Sequence, residues 1–474
     1  MTKAIAALGA AAIALALSPP AHAAPPPPSG DLAAIQQQIN ALKSDYDAKI
    51  ADLQARLKAA EERAARAEAA APPGSAAPVP GVAAPAPTAE AAAPGEVIIA
   101  DNTPPASEPA KTTSANAMNP GVSVVLNGNY VAASRDTALQ RITGFPQGED
   151  GRPLPRGFSL DESEITLAAN VDPFLTANLT VSFDAENQPS VEEAYIQSTA
   201  LPAGITLRGG RFFSAIGYLN ERHAHNWSFI DMPLPYRALL GNQYGDDGVQ
   251  ARWLVPAPFF VEVGGEMFRG DSFPGANNDK NRAGTQTLFV HTGSDINTSS
   301  SFLAALSYIH TDAHNRTTTD PVTGGIDTFD GSDSLGIASL VYKWAPGGNP
   351  VNKNIVLSAE YFLGRQEGLF NGLAATRDPR GWYAQGVFQF TPHWSAGLRY
   401  ASLDKVDLIP GLAGTGYDPM GHSPSSVSGL LEYDTSEFGR FRLELSHDMS
   451  DLRSNDMAMF QYTVVYGPHG AHRY

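Results

Sequence analysis

The sequence lacks cysteine altogether, has fewer basic than acidic residues, and contains no long apolar run outside its N-terminus. Without cysteine, the chain forms neither a disulfide framework nor a cysteine-based zinc site. Its 32 Lys+Arg against 49 Asp+Glu give a net charge of −17, which argues against nucleic acid as a partner. A membrane-spanning helix needs about 20 apolar residues, so beyond the N-terminus any membrane crossing has to use β-strands.

Motifs of familiar enzymes are also missing. The chain has no G-x-S-x-G sequence and no glycine-rich phosphate-binding loop. Glu192-Glu193 and Asp246-Asp247 are adjacent carboxylates of the kind that a hydrolase or protease could use together. Neighbouring residues on a strand face opposite ways, so neither pair acts together without a bend in the strand. We therefore expect a protein that is not an enzyme.

Residues 1–23 predict a secretory signal peptide. Lys3 supplies the positive start, residues 5–17 the apolar region, and Ala21-His22-Ala23 the small-x-small cleavage site. The alternative is a helical membrane anchor, which needs a longer apolar run than this one. We expect export, with cleavage after Ala23.

Two further segments precede the strand-rich part of the chain. In residues 24–70, apolar positions spaced by three and four residues, with one slip, predict a short α-helical coiled coil in the periplasm. One amphipathic helix packed on the protein's own domain is the alternative. Residues 71–120 are rich in Pro and Ala and predict a disordered linker, because such a stretch buries no core. The coiled coil is a candidate for self-association and for contact with peptidoglycan.

Residues 121–474 divide into about sixteen short alternating strands, and the joints between them alternate between long and short. This rhythm is typical of an all-β, antiparallel barrel in the outer membrane, with long loops outside and short turns in the periplasm. Two joints on the long side, 186–189 and 450–453, are themselves short. The long joints are 133–157, 214–246, 270–281, 312–330, 366–378 and 405–423, and the short ones include 171–173, 201–204, 255–258 and 391–392.

Aromatic residues favour a membrane barrel over a soluble sandwich, whose strands would alternate in the same way. They cluster where strands end, as the two aromatic girdles of a membrane barrel do. The residues in question are Trp253, Phe259, Tyr342, Trp344, Trp382, Phe390, Trp394 and Tyr466. We therefore expect outer-membrane lipid around the barrel.

The strand number limits the kind of barrel. Sixteen strands enclose a lumen that is wide enough for water, whereas a TonB-dependent receptor has about 22 strands around a plug domain. Nothing upstream of Gly121 is large or apolar enough to fold into a plug. The sequence therefore favours a pore, and a homotrimer is our expectation from the barrel type.

The joint 214–246 is the longest and is unusually apolar for a loop. We expect it to fold into the barrel and narrow the pore, since long ordered loops are usually functional. A cover over the barrel mouth and a subunit interface are the alternatives. The residues that we expect at the constriction are Trp227, Phe229, Tyr236 and Arg237.

The same loop contains a His-x-His pair. His223 and His225 point the same way in an extended segment and can share a zinc or copper ion, with Glu221 or Asp231 completing the set. Ordinary hydrogen-bonded loop histidines are the alternative. The strand pattern also places every histidine of the mature chain close to one of the two barrel rims, where weak and reversible zinc binding would be expected. On this pattern His291 lies at the periplasmic rim.

Strand parity predicts which charges line the pore. The inward-facing set mixes both signs, as in general porins. It consists of Arg208, Arg399, Arg440 and Arg442 with Glu164, Glu262, Glu360, Glu432 and Glu444.

The chain resembles a known family. Its layout is similar to the phosphate-selective porin O/P-like superfamily, and RHAHNWSFIDMPLPYRALLGNQYGDDGVQARWLVPAPFFVEVGGEMFRGDSFP (222–274) and GPHGAHRY (467–474) resemble proteobacterial outer-membrane proteins labelled zinc-regulated, often mislabelled TonB-dependent. The resemblance implies a trimeric outer-membrane channel that serves metal acquisition. An arginine ladder like that of phosphate-selective members is not evident, which argues against phosphate selectivity.

Three functions remain open on the sequence. The first is a passive porin for small polar solutes or ions, and the second is a channel linked to zinc or other metals. The third is a structural protein that tethers the envelope, with the barrel mainly an anchor.

Overall fold

A computed structural model describes residues 120–467 of the chain, except 161, 200 and 277–280. The predicted signal peptide (1–23), the coiled coil (24–70) and all but the last residue of the linker (71–120) lie outside the described residues. So does nearly all of the GPHGAHRY tail, with His469 and His472.

Eighteen strands make up most of the described residues. They are β1 (Gly121–Ala133), β2 (Gly157–Ser159), β3 (Ser163–Asp172), β4 (Leu175–Phe183), β5 (Pro189–Ser198), β6 (Ile205–Phe213), β7 (Gly245–Leu254), β8 (Phe260–Phe268), β9 (Thr285–Asn297), β10 (Ser300–Thr319), β11 (Ile326–Trp344), β12 (Asn354–Phe370), β13 (Leu373–Arg377), β14 (Arg380–Thr391), β15 (Trp394–Leu403), β16 (Ser425–Ser436), β17 (Gly439–Met449) and β18 (Asn455–Tyr466).

Helices are few and short in this part of the chain. The α-helix α1 (Leu234–Leu239) lies between β6 and β7. Single 3-10 turns occur at Thr137–Leu139, Glu149–Gly151, Pro202–Gly204, Ala224–Asn226 and Pro346–Gly348. Among the described residues, no helix is long and apolar enough to cross a membrane.

Sixteen of the strands close into a barrel. β2 pairs with three residues of β1 and β13 folds back on the end of β12, so these two short strands are additions to the ring. Each remaining strand pairs antiparallel with the next. The ring closes where β18 pairs with β1, from the residue pair Val124 and Tyr466 to the pair Ala133 and Met457. The predicted fold class, an antiparallel barrel of about sixteen strands, is confirmed.

The barrel is apolar outside and polar inside. Leu398, Leu306 and Leu445 are among its most exposed side chains, whereas Arg399 and Glu444, the strand neighbours of Leu398 and Leu445, are buried. Along β18 the outward residues Phe460 and Tyr462 alternate with the buried polar residues Gln461 and Thr463. A soluble protein would place these two classes the other way round, so this surface fits lipid on the outside of the ring.

The aromatic residues lie where the girdles of a membrane barrel would be. Trp253, Phe259, Phe390, Trp394 and Tyr466 stand at or beside the short-turn ends of their strands, with partly exposed rings. Trp394 packs on Tyr433 of the neighbouring strand, with 4.8 Å between the ring centroids. Such rings suit the boundary between hydrocarbon and water, because one end of each is apolar and the other is wet.

Three strands are longer than the sequence pattern predicted. β10, β11 and β12 have 20, 19 and 17 residues, so most of the expected loop 312–330 and part of 366–378 is strand. The connection from β10 to β11 is only residues 320–325. Beyond the lipid both faces of a strand meet water or protein, so polar residues such as Thr317 and Arg365 extend the ladder there. The alternation of apolar and polar residues, from which the strands were predicted, ends before these extensions begin.

The lipid-facing surface makes a stability prediction. Leu398 lies in the middle of β15 and faces outward, so Leu398→Arg should lower the free energy of unfolding by about 2–4 kcal/mol in lipid vesicles. Leu452→Arg is the control, because Leu452 is similarly exposed but lies in the turn between β17 and β18. Urea titration of both variants measures the difference. Equal stability of the two would contradict a lipid-facing β15.

Candidate functional site

The connection between β6 and β7, residues 214–244, lies inside the barrel; we call it the inner loop. Its Ala215 N–H donates to Glu266 on β8 (3.0 Å), its Tyr218 N–H to Glu360 on β12 (2.7 Å), and its Ile230 N–H to Glu444 on β17 (2.7 Å). These strands stand at well-separated positions around the ring. Only a segment in the lumen reaches all of them, so the inner loop crosses the interior.

Glu360 is the main anchor on one side of the lumen. Its carboxylate accepts from the hydroxyls of Tyr236 (2.8 Å), Tyr383 (2.6 Å) and Ser339 (2.6 Å) as well as from the Tyr218 N–H. A buried carboxylate with four donors is well satisfied. Burial and the Glu360 charge raise the pKa of Tyr236 well above its usual value, so this hydroxyl remains a donor.

Arg399 on β15 is a second anchor, two strands further around the ring from Glu360 on β12. Its guanidinium donates to the carbonyl (2.5 Å) and carboxylate of Asp231, pairs with Glu444 (3.1 Å), and stacks on the ring of Phe229 at 4.5 Å. Asp231, predicted as a metal ligand, is therefore engaged with an arginine of the wall.

Two further arginines hold the backbone of the inner loop. Arg442 donates to the carbonyls of Trp227 (2.6 Å) and Phe229 (3.1 Å), and Arg440 donates to the carbonyl of His225. Arg440 also pairs with Glu432 at 3.6 Å. Three of the inward charges expected to line the pore thus contact the inner loop.

The remaining predicted residues lie in the same framework. Arg208 and Arg252 both pair with Glu221, the second carboxylate predicted as a metal ligand. Arg237 in α1 donates to the Gly151 carbonyl (3.1 Å) and pairs with Asp448 (3.5 Å). Trp227 and Tyr236 belong to the main apolar cluster, together with Leu234, Ala238 and Leu239 of α1.

A second set of charges surrounds the His-x-His pair. His223 and His225 stack with 5.7 Å between ring centroids. Nδ1 of His225 donates to Glu164 Oε1 (2.9 Å), and Nε2 of His223 donates to Glu193 Oε2 (3.1 Å). Nδ1 of His223 lies 3.3 Å from Glu192 Oε2 and 3.4 Å from Glu164 Oε2. We call these five residues the His223 cluster.

A β-bulge explains why two adjacent glutamates reach one imidazole. Thr180 on β4 pairs with Glu193 and the next residue, Val181, with Val191, so Glu192 is an extra residue in the ladder of β5. A bulge changes the direction of a side chain, and both glutamates here face inward. In regular β7, by contrast, the side chains of Asp246 and Asp247 are 2% and 55% exposed.

The sequence therefore located the histidines of the cluster but selected other carboxylates. Glu221 and Asp231 are engaged by arginines, whereas Glu192 and Glu193 were set aside because regular strands separate neighbours. His291 also differs from expectation. It lies at mid-strand in β9, between Glu262 and the Ala215 carbonyl of the inner loop, and not at a rim.

The two histidines have opposite electrostatics. Burial lowers the pKa of His223, but the charges of Glu164 and Glu192 outweigh it and hold that pKa well above its usual value. Burial and the neighbouring positive charges of His223 and Arg440 hold the pKa of His225 well below its usual value. The cluster thus favours a positive charge on the His223 ring and disfavours one on the His225 ring.

Comparisons with known proteins assign no function to the chain. No protein-family model matches the chain. A protein of Aquifex aeolicus (strain VF5) described as uncharacterized is 28% identical over 393 residues, covering 76% of this chain and 81% of that protein. A loop L8 deletion mutant of OmpT from Vibrio cholerae is similar to 74% of this chain and 100% of its own, at 10% identity and a TM-score of 0.47.

Two other solved barrels are similar to the same extent. The outer-membrane channel DcaP of Acinetobacter baumannii is similar over 74% of this chain and 97% of its own, at 11% identity and a TM-score of 0.47. OprB of Pseudomonas putida is similar over 74% of this chain and 95% of its own, at 11% identity and a TM-score of 0.46. The class of this protein rests on its own strand pairing: a closed barrel with a lipid-type surface and a polar interior.

The Arg399 anchor generates a prediction. Arg399→Ala removes the guanidinium shared by Asp231 and buried Glu444, so we expect a loss of about 3–5 kcal/mol in the free energy of unfolding and faster amide exchange in residues 226–240. Hydrogen-exchange mass spectrometry and urea titration measure the two effects.

Arg365→Ala is the matched control. Arg365 pairs with Glu367 and Asp378, but all three side chains are mostly exposed, so this variant should lose less than about 1 kcal/mol. Similar exchange of the inner loop in both variants would contradict the role of Arg399.

Proposed function

We propose that this chain is a porin-type channel of the outer membrane, through which small polar solutes or ions pass passively. The observation that carries the proposal is the combination of a polar barrel interior with an inner loop held across it by Glu360, Arg399 and Arg442. A barrel that served only as an anchor would not need an ordered, ion-paired loop in its lumen. We infer that the inner loop is the constriction.

The proposed orientation follows from the two ends of the barrel. The longer connections, such as those between β15 and β16 and between β8 and β9, lie at one end, and the short turns at the other. In outer-membrane barrels the long loops face outward. In this orientation β1 begins on the periplasmic side, where the predicted coiled coil and linker would then lie.

Charges of both signs would govern selectivity at the constriction. Arg208 and Arg252 pair with Glu221, and Arg252 also pairs with Glu262, in the part of the lumen reached by the inner loop. Arg222 of the inner loop stacks on the ring of Tyr218. Facing charges of opposite sign orient polar solutes and select against apolar ones. The proposal also includes a homotrimer and a link to metal ions. Both are implied by the resemblance to phosphate-selective porin O/P-like proteins labelled zinc-regulated. The metal link is supported by the His223 cluster.

Thiol labelling tests passage past the inner loop. The chain has no cysteine, so Arg222→Cys provides a single reactive site in the loop. Within the described residues, the Arg222 guanidinium donates to the Tyr218 carbonyl of the same loop (3.2 Å), so the contacts of the loop with the wall remain. We expect step currents in planar bilayers and a lower step conductance once a charged methanethiosulfonate reagent is attached.

Glu367→Cys is the labelling control, since Glu367 is exposed on the outer extension of β12. Its labelling should leave the conductance unchanged. A trimer would close in three steps. The absence of any step current, or equal responses of the two cysteine variants, would overturn the proposed function.

A further inference from the structure

The His223 cluster brings two carboxylates and one imidazole nitrogen together. One ligand atom each from Glu164, Glu192 and His223 lie within 4.8 Å of one another. Glu192 Oε2 and His223 Nδ1 are buried and make no hydrogen bond, and the Glu192 side chain is only 9% exposed. Buried polar atoms of this kind need a partner. Here they point at a common centre.

The hydrogen bonds around the cluster define what that partner is. Nε2 of His223 donates to Glu193, so in the neutral ring Nδ1 presents a lone pair to two carboxylates. Three electron-rich atoms facing one another require a positive charge between them. A proton on Nδ1 would be directed at one carboxylate, but Nδ1 of His223 and Oε2 of Glu192 make no hydrogen bond. A cation at the centre satisfies all three.

The distances fit a transition-metal ion. Ligands of a tetrahedral ion bound at about 2.0–2.1 Å stand about 3.3 Å apart, and Nδ1 of His223 is 3.3 and 3.4 Å from the two carboxylate oxygens. An imidazole nitrogen favours zinc-like ions over Ca²⁺ and Mg²⁺, whose protein ligands are oxygens. Three protein ligands leave one position for water or a solute.

The outer contacts also match those of a metal site. Glu193 receives the second imidazole N–H of His223, which orients the ring, as carboxylates do behind metal-bound histidines. His225 donates to the other oxygen of Glu164. The bulge at Glu192 supplies the second carboxylate on the required side.

We propose that Glu164, Glu192 and His223 bind a divalent transition-metal ion of the zinc type, and that this ion fastens the inner loop to β3 and β5. Glu193 and His225 are positioning residues. The proposal of a binding site depends on this geometry alone. Any effect of the bound ion on the current through the barrel rests on the proposed function. A bound ion would join the segment around His223, which Arg399 and Glu360 do not contact, to the barrel wall.

Zinc binding to the full chain tests the site. The protein is purified from membranes in detergent, stripped with a chelator and titrated with Zn²⁺ against a chromophoric competitor. We expect one ion per chain, and more than about tenfold weaker binding in Glu192→Gln and in His223→Gln, since even outer contacts of a metal site change affinity by that factor. Glu367→Gln, an exposed glutamate, should bind as the unaltered chain does.

Two further measurements keep the test decisive. If the variants do not migrate as folded barrels, zinc K-edge absorption of the unaltered chain replaces them, with one imidazole and oxygen ligands expected. An absence of stoichiometric zinc, equal affinity in Glu192→Gln and Glu367→Gln, or a spectrum without imidazole would overturn the site. Bilayer currents from the same preparation separate the two proposals, because step currents without zinc binding would remove the site and leave the channel.

Discussion

Closure of the ring is the constraint on which the rest of this structure depends. Strands in lipid have no water to satisfy their N–H and C=O groups, so every edge has to be paired. β18 meets β1 over ten residue pairs, and no strand of the ring is left with a free edge in the described part of the chain. Closure then divides all side chains into two environments, and it decides which charges are permitted where.

Charges that face the interior are satisfied largely by the inner loop. Arg399, Arg440 and Arg442 donate to its carbonyls or to Asp231, and Glu266, Glu360 and Glu444 accept its N–H groups. A loop without regular structure has many unpaired backbone groups, and a wall of charged side chains has many unpaired donors and acceptors. The charged side chains of the wall therefore pair with backbone groups of the inner loop, which accounts for the burial of such an irregular segment.

The sequence predicted the barrel of about sixteen strands and directed attention to the loop 214–246, because these depend on alternation and composition. It did not predict the bulge at Glu192, the long strands β10–β12 or the partners of Asp231, since these depend on register and on contacts far apart in the chain. One signal was available. Val191-Glu192-Glu193-Ala194 in a regular membrane strand would turn one carboxylate toward lipid, which is costly, so an irregularity was required there.

The unequal strand lengths give the barrel an oblique mouth. β10 has 20 residues and β3 has 10, a difference of about 33 Å along the strand at about 3.3 Å per residue. The wall is therefore high over β10–β12 and lower over β3–β8. The carboxylates of the His223 cluster, Glu164 on β3 with Glu192 and Glu193 on β5, thus stand on the lower part of the wall.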